Sequence, residues 1–263
     1  MISQNMNQAS SLLKQVIIKI DFTSIPDYAE YCRFERNNPK LQTYFRSFRE
    51  IKANNIDVEA SDEQINSLKL NDTVTICRFA GSRGELDQDC SYDLTPTFIC
   101  LNIHCDDNYK SIKPYIDFMV AAISRIVGYE SFTRITRIGI RKIDVGDYKD
   151  YKDGNTIFKT LNVDISDDER KRYLLQKNTV EHFLDRDDSV ELISKRLFIP
   201  LMDKKLFRFV LDTDVFLSDR AIEKEPQDII QYIEKQLYIL NERAYRNFEE
   251  NVNLELVKHR DNE

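Results

Sequence analysis

The sequence predicts an α+β fold made of two halves, each an antiparallel sheet followed by a long packing helix. Three observations carry this reading. Apolar and polar residues alternate at period two in several runs, as on half-buried strands. Two longer runs, 109–127 and 226–251, place apolar residues at i, i+3 and i+4, as on helices packed along one face. The strands come in groups before each helix, unlike the strand–helix alternation of parallel sheets. The 263 residues, 41% of them apolar and 32% charged, are enough for a sizeable core and are too apolar for a disordered chain.

The elements follow in order. A first strand over 15–22 puts Val16, Ile18, Ile20 and Phe22 on one face and Lys19 and Asp21 on the other. Pro26 and Asp27 open a short helix to Arg36, proline being tolerated in a first turn. The segment 37–72 has no single reading: 41–51 fits a helix or a strand, and 62–68 fits one or two helical turns. A strand over 72–80 ends in a turn at Gly81-Ser82-Arg83-Gly84, and the acidic stretch 85–93 is expected on the surface. An apolar strand over 97–105 leads to a helix with Ile112, Ile116, Met119, Val120, Ile123 and Val127 inward.

The next strand covers 132–144. The Lys/Asp/Gly-rich stretch 145–155 is then the expected boundary between a half at 1–146 and a half at 147–263. Within the first half, 23–94 reads as an insertion. Three antiparallel strands are predicted at 172–184, 190–201 and 205–217. Pro226 starts the longest helix, with Ile229, Ile233, Leu237, Leu240, Ala244 and Phe248 inward. The repeated order of strands then helix suggests an internal duplication, with negligible identity between the copies.

Composition removes several chemistries. The net charge of −7 argues against an electrostatics-first nucleic-acid binder. Six glycines leave little for phosphate loops, and three histidines with no tryptophan thin the catalytic options. No nucleotide, dinucleotide, serine-hydrolase or His-Glu-x-x-His motif occurs, and no cofactor is expected. No stretch approaches the roughly 20 apolar residues that span a bilayer, and residues 1–11 do not read as a signal peptide. Five cysteines without a Cys-x-x-Cys pair predict a cytoplasmic protein with reduced, mostly buried thiols. Cys100, His104 and Cys105 suggest a metal site, but on one strand Cys100 and His104 stand about 13 Å apart and Cys105 points away. No zinc site is expected.

The stretch Arg137-Ile138-Gly139-Ile140-Arg141-Lys142-Ile143-Asp144, with Ile123-Ser124-Arg125-Ile126 before it, resembles the Arg-x-Gly-x-Arg strand of a family of bacterial proteins of similar length. Leu211-Asp212-Thr213-Asp214-Val215-Phe216 and the helix ending Ala244-Tyr245-Arg246-Asn247-Phe248 resemble its closing strand and helix. The likeness covers most of 95–257, with Lys142 where an aromatic is commoner and Asp144 where Asn is commoner. That family is sporadically distributed and has no established activity. The resemblance implies a mobile-element, phage-conflict or toxin–antitoxin setting.

Three constellations could carry function. Arg137, Gly139 and Arg141 share a strand face, and the glycine leaves a slot between two guanidiniums that suits a phosphate or carboxylate. The alternative is a solvent-exposed sheet face, or an Arg pair bound by internal carboxylates. Asp212 and Asp214 share a face about 6.6 Å apart with Arg208 on the same side, a spacing that could hold Mg²⁺. Their alternative is pairing with Arg137 and Arg141. Segment 26–52 interleaves Tyr28, Tyr31, Phe34, Tyr44, Phe45 and Phe48 with six bases, Arg46 and Arg49 among them, as a single-strand or acidic-partner surface would. His182 alternates with Val180 and Leu184 and reads as a sheet residue.

The expectation is therefore a cytoplasmic binding or regulatory protein without an evident catalytic site. Its partner is a protein, a second copy of the chain included. Nucleic acid is disfavoured by the net charge, and no membrane is involved. The alternative is a metal-dependent nuclease or phosphoryl-transfer enzyme using Asp212 and Asp214 with Arg137 and Arg141.

Overall fold

The computed structural model describes residues 12–61, 64–82, 84, 86–129, 134–149, 151–159, 175–185, 188–201, 206–218 and 226–254. The chain begins with β1 (Leu13–Phe22), helices α1 (Tyr28–Arg36) and α2 (Pro39–Tyr44), and strands β2 (Phe45–Ser61), β3 (Gln64–Ser82), β4 (Asp89–Leu94) and β5 (Phe98–His104). Helix α3 (Lys113–Gly128), strand β6 (Ile135–Tyr148) and helix α4 (Tyr151–Phe158) come next. Strands β7 (Leu175–Asp185), β8 (Asp188–Leu201) and β9 (Leu206–Ser218) and helix α5 (Pro226–Asn251) complete it.

The α+β class and the antiparallel pairing are as the sequence indicates. The two separate sheets are not: all strands join one nine-stranded sheet, in the order β2-β3-β4-β5-β1-β6-β9-β8-β7. The reason lies in β1 and β6. They pair along nearly their whole length, from Leu13 opposite Asp144 to Phe22 opposite Ile135. Each pairs on both edges, β1 with β5 and β6, and β6 with β1 and β9, so the two groups of strands are joined edge to edge. The boundary set at 146/147 falls inside β6, which also pairs with β9 as far as Tyr148 opposite Phe207. The 23–94 region is no appendage, since β2, β3 and β4 extend the same sheet through β5.

Two further expectations change. Residues 64–68, read as helical turns, are strand, because β2 and β3 form a hairpin paired from Phe45 opposite Ser82 to Ser61 opposite Gln64. A long ladder of paired residues, even with register shifts at Asn54/Ile56 and Glu59/Ala60, outweighs weak local preference. The stretch 85–93 is not simply a surface loop. Leu86, Gln88, Cys90 and Tyr92 are buried, while β4 holds Asp89 and Ser91 on its other side.

The helices pack on one face of the sheet. That inner face carries Val16, Ile18 and Ile20 of β1, Tyr92 and Leu94 of β4, Ile99, Leu101 and Ile103 of β5, and Ile138 and Ile140 of β6, all buried. Tyr115, Ile116, Met119 and Ile123 of α3 and Ile233, Leu237 and Leu240 of α5 close over them. Each fully buried Ile or Leu contributes about 1.5–3 kcal/mol. A second cluster joins Phe158 of α4 to Tyr148 and Phe209. Helix α1 is tied to α3 by a buried ion pair: Arg125 Nε and Nη2 donate to both Glu35 oxygens, at 2.9 and 3.1 Å.

The reduced-thiol expectation is corrected at one pair. Cys32 of α1 and Cys77 of β3 form a disulfide with Cα atoms 6.5 Å apart. Cys90, Cys100 and Cys105 are free and buried, and burial pushes each thiol up to about 12, which keeps them protonated. The folding of α1 onto the sheet's inner face brings Cys32 over β3, a closeness that a sequence separation of 45 conceals.

Candidate functional site

Period-two alternation sorts the chemistry onto two faces. On the outer face of β6 lie Arg137, Gly139 and Arg141, and on that of β9 lie Arg208, Asp212 and Asp214. The sheet brings both expected groups together. Arg141 donates through Nε and Nη2 to the two Asp212 oxygens, each at 2.7 Å. Arg137 Nη2 donates to Asp214 Oδ2 at 2.8 Å, and its Nη1 lies 3.9 Å from Asp21 of β1. Asp21 in turn holds Lys19 at 2.6 Å. Arg208 does not join this group. It makes a bidentate pair with Asp147, its cross-strand neighbour, at 2.8 Å for both bonds.

The slot at Gly139 is filled from within the chain. Arg137 folds back so that its guanidinium lies 4.3 Å over the Phe216 ring. A Cβ at Gly139 would stand 3.2 Å from Phe216 Cβ and 3.4 Å from Arg137 Cζ. Glycine thus lets Arg137 lie flat and reach Asp214, four residues beyond its own register partner Ser218. Burial raises the Asp214 carboxyl, against the pull of Arg137 and Arg141, whereas its hydrogen bond to Asp212 holds the Arg141 guanidinium up. Among the described residues, no group of three or more His, Cys, Asp or Glu could hold a metal ion.

Arg46 and Arg49 are exposed on β2, an edge strand. The aromatics that were to accompany them are largely committed elsewhere. Tyr31 packs on Tyr129, Phe45 on Phe118 and Tyr92, and Phe48 on Phe79. Tyr28 donates to the Leu94 carbonyl at 2.6 Å and accepts from Cys77 N–H. Phe34 alone of these six is a large exposed aromatic, at 54%.

The inner face holds a site that the sequence reading passed over. Lys142 and Asp144 continue the row of Ile138 and Ile140, so they point toward the helices and line a cavity of about 350 Å³. The cavity lies between the start of β1, the segment leading into α3, and α5. Its walls are mostly apolar and include Tyr109, Tyr238, Tyr245 and Phe248. Asp144 is 3% exposed. Burial pulls the Lys142 ammonium down and pushes the Asp144 carboxyl up, while each charge opposes the shift of the other. Among the described residues, neither side chain has a hydrogen bond or an ion pair. Nearby, Asn247 of α5 donates to Thr213 and Ser194 at 2.8 and 3.2 Å and accepts from Asn251. The signal was present: two charged residues at i and i+2 on the apolar face of a strand.

No helix of the described residues is long and apolar enough to cross a membrane. Comparison of the chain with protein families, with curated proteins and with solved structures gives no match.

Proposed function

We propose that the protein is a non-catalytic binding protein that docks a protein partner on the outer face of its sheet, with a second copy of the chain as the first partner to test. One observation carries this reading. Across β1, β6 and β9 the half-exposed Lys19–Asp21–Arg137–Asp214 chain and the Arg141–Asp212 pair form a preset array of both charge signs. The five described helices all pack on the opposite face. Mixed, preorganised charge on a surface favours specificity and register over raw affinity. Size-exclusion chromatography with light scattering, at low and high salt, tests it. A salt-sensitive dimer abolished by Arg137→Asp supports self-docking. A monomer at all salt concentrations moves the search to another protein.

The metal-dependent alternative would require Asp212 and Asp214 to exchange guanidiniums for Mg²⁺. Unfolding with and without Mg²⁺ or Mn²⁺, on wild type and on Asp212→Asn/Asp214→Asn, separates the readings. A midpoint raised by metal and lost in the variant favours the enzyme.

A duplicated origin also has support in the connections. In one part β1 pairs with β5 and α3 follows. In the other β6 pairs with β9 and α5 follows. We read these as two sheet-and-helix units sharing one sheet.

A further inference from the structure

The cavity under α5 lies on the face away from the proposed docking surface. It has three properties that together define a ligand. First, its floor carries a cation and an anion, Lys142 and Asp144, two residues apart on β6 and hence about 6.6 Å apart along the strand. Neither pairs with the other or with any described residue. Lys142 is half-buried and Asp144 is buried, and both line the cavity, so their polar groups are open to a ligand that enters it. Second, Asn241 of α5 lines the same cavity and its buried Oδ1 accepts no hydrogen bond. Third, the remaining wall is mostly apolar by area and rich in aromatic rings, and about 350 Å³ suits a molecule the size of a large amino acid. The wall's other charged residues are Lys110, Lys113, which pairs with Asp117, and Glu242, which pairs with Arg246.

These properties discriminate among ligand classes. A phosphate or simple carboxylate would satisfy Lys142 and be repelled by Asp144. A simple amine would do the reverse. A neutral apolar molecule would leave both charges unpaired. A small zwitterion supplies both missing partners at once, and its apolar body fills the rest. We propose that the cavity binds a free α-amino acid with an aromatic or branched aliphatic side chain. In this arrangement its carboxylate accepts from Lys142 Nζ, and its ammonium donates to Asp144 and to Asn241 Oδ1. The side chain packs among Tyr109, Tyr238 and Tyr245.

The test uses the full chain and a set of probes that differ in one charge. Thermal unfolding is followed with each standard amino acid at millimolar concentration, and with phenethylamine, 3-phenylpropionate and N-acetylphenylalanine. The expected result is a midpoint raised by about 5 °C at a hundredfold excess over Kd for phenylalanine or leucine. The one-charge analogues produce no rise at the same concentration. Calorimetric titration of Lys142→Met and Asp144→Asn, each checked by circular dichroism, should show at least tenfold weaker binding. Analogues that bind as well as the amino acid would overturn the proposal. So would wild-type protein that responds to no amino acid, or variants that bind unchanged. The analogue series needs no variant, so misfolding of either substitution leaves the test intact.

Discussion

Arg141 stands directly opposite Asp214 in the β6–β9 ladder, yet it grips Asp212, two residues along on the same outer face. The diagonal choice leaves Asp214 to Arg137, which crosses Gly139 and Phe216 to reach it. Two aspartates that share a face are thereby given one guanidinium each. Asp212 is the more deeply set, its side chain 10% exposed against 26% for Asp214. Asp212→Ala should therefore cost about 1–2 kcal/mol, because it removes a bidentate, charge-assisted pair. Asp214→Ala should cost less, since Arg137 retains Phe216 and Asp21. Urea denaturation of the two variants checks the order, and equal losses would contradict it.

The Glu35–Arg125 pair joins α1 to α3 with the Glu35 side chain 1% exposed. Tyr31 Oη also donates to Glu35, at 3.2 Å. Removing one member strands a buried charge, which typically costs about 3–5 kcal/mol. Arg125→Met should show a loss of this size. Arg125→Met/Glu35→Gln should recover a large part of it, because the variant no longer buries an unpaired carboxylate. Chemical denaturation of both variants gives the comparison.

Gly154 sets helix propensity against packing. In an exposed helix, alanine would gain about 1 kcal/mol over glycine. Here a Cβ would lie 2.1 Å from Phe209 Cε2, on a ring stacked against Phe158. Packing should win, and Gly154→Ala should destabilise by about 2 kcal/mol or more. A thermal midpoint above that of wild type would show that α4 does not approach β9 so closely.

Asp144, buried beside half-buried Lys142, makes stability depend on pH in a calculable direction. Asp144, pushed up to about 7 by burial, is held protonated relative to the unfolded chain. Its contribution to stability is complete below the ordinary carboxylate range and is lost as pH rises through about 7. Lys142 opposes this by favouring the anion. In a Lys142→Met background that opposition is gone. Lys142→Met should lose stability steadily from pH 4 upward, at up to about 1.4 kcal/mol per pH unit. Lys142→Met/Asp144→Asn should not. Midpoints measured from pH 4 to pH 8 should diverge toward high pH, and parallel curves would place Asp144 in water.

Period-two runs such as Val16-Ile18-Ile20 and the i, i+3/i+4 spacing of α5 determined the strands, the long helices and the α+β class. Each of these signals is local, and burial on one face is its direct cause. The outer-face residues were legible for the same reason: Arg137, Arg141, Asp212 and Asp214 alternate with core positions. Tertiary structure decided the rest. Only strand pairing shows that β1 and β6 fuse the strands into one sheet, because an edge hydrogen bonds through backbone groups common to every residue. Only the ladder register sends Arg141 to Asp212 and lets Arg137 fill the space above Gly139. The disulfide between Cys32 and Cys77 depends on how α1 lies across β3. Lys142 and Asp144 read in sequence as ordinary strand charges. They became a site when α5 closed over the inner face and left a cavity there, a volume set by the packing of elements nearly a hundred residues apart.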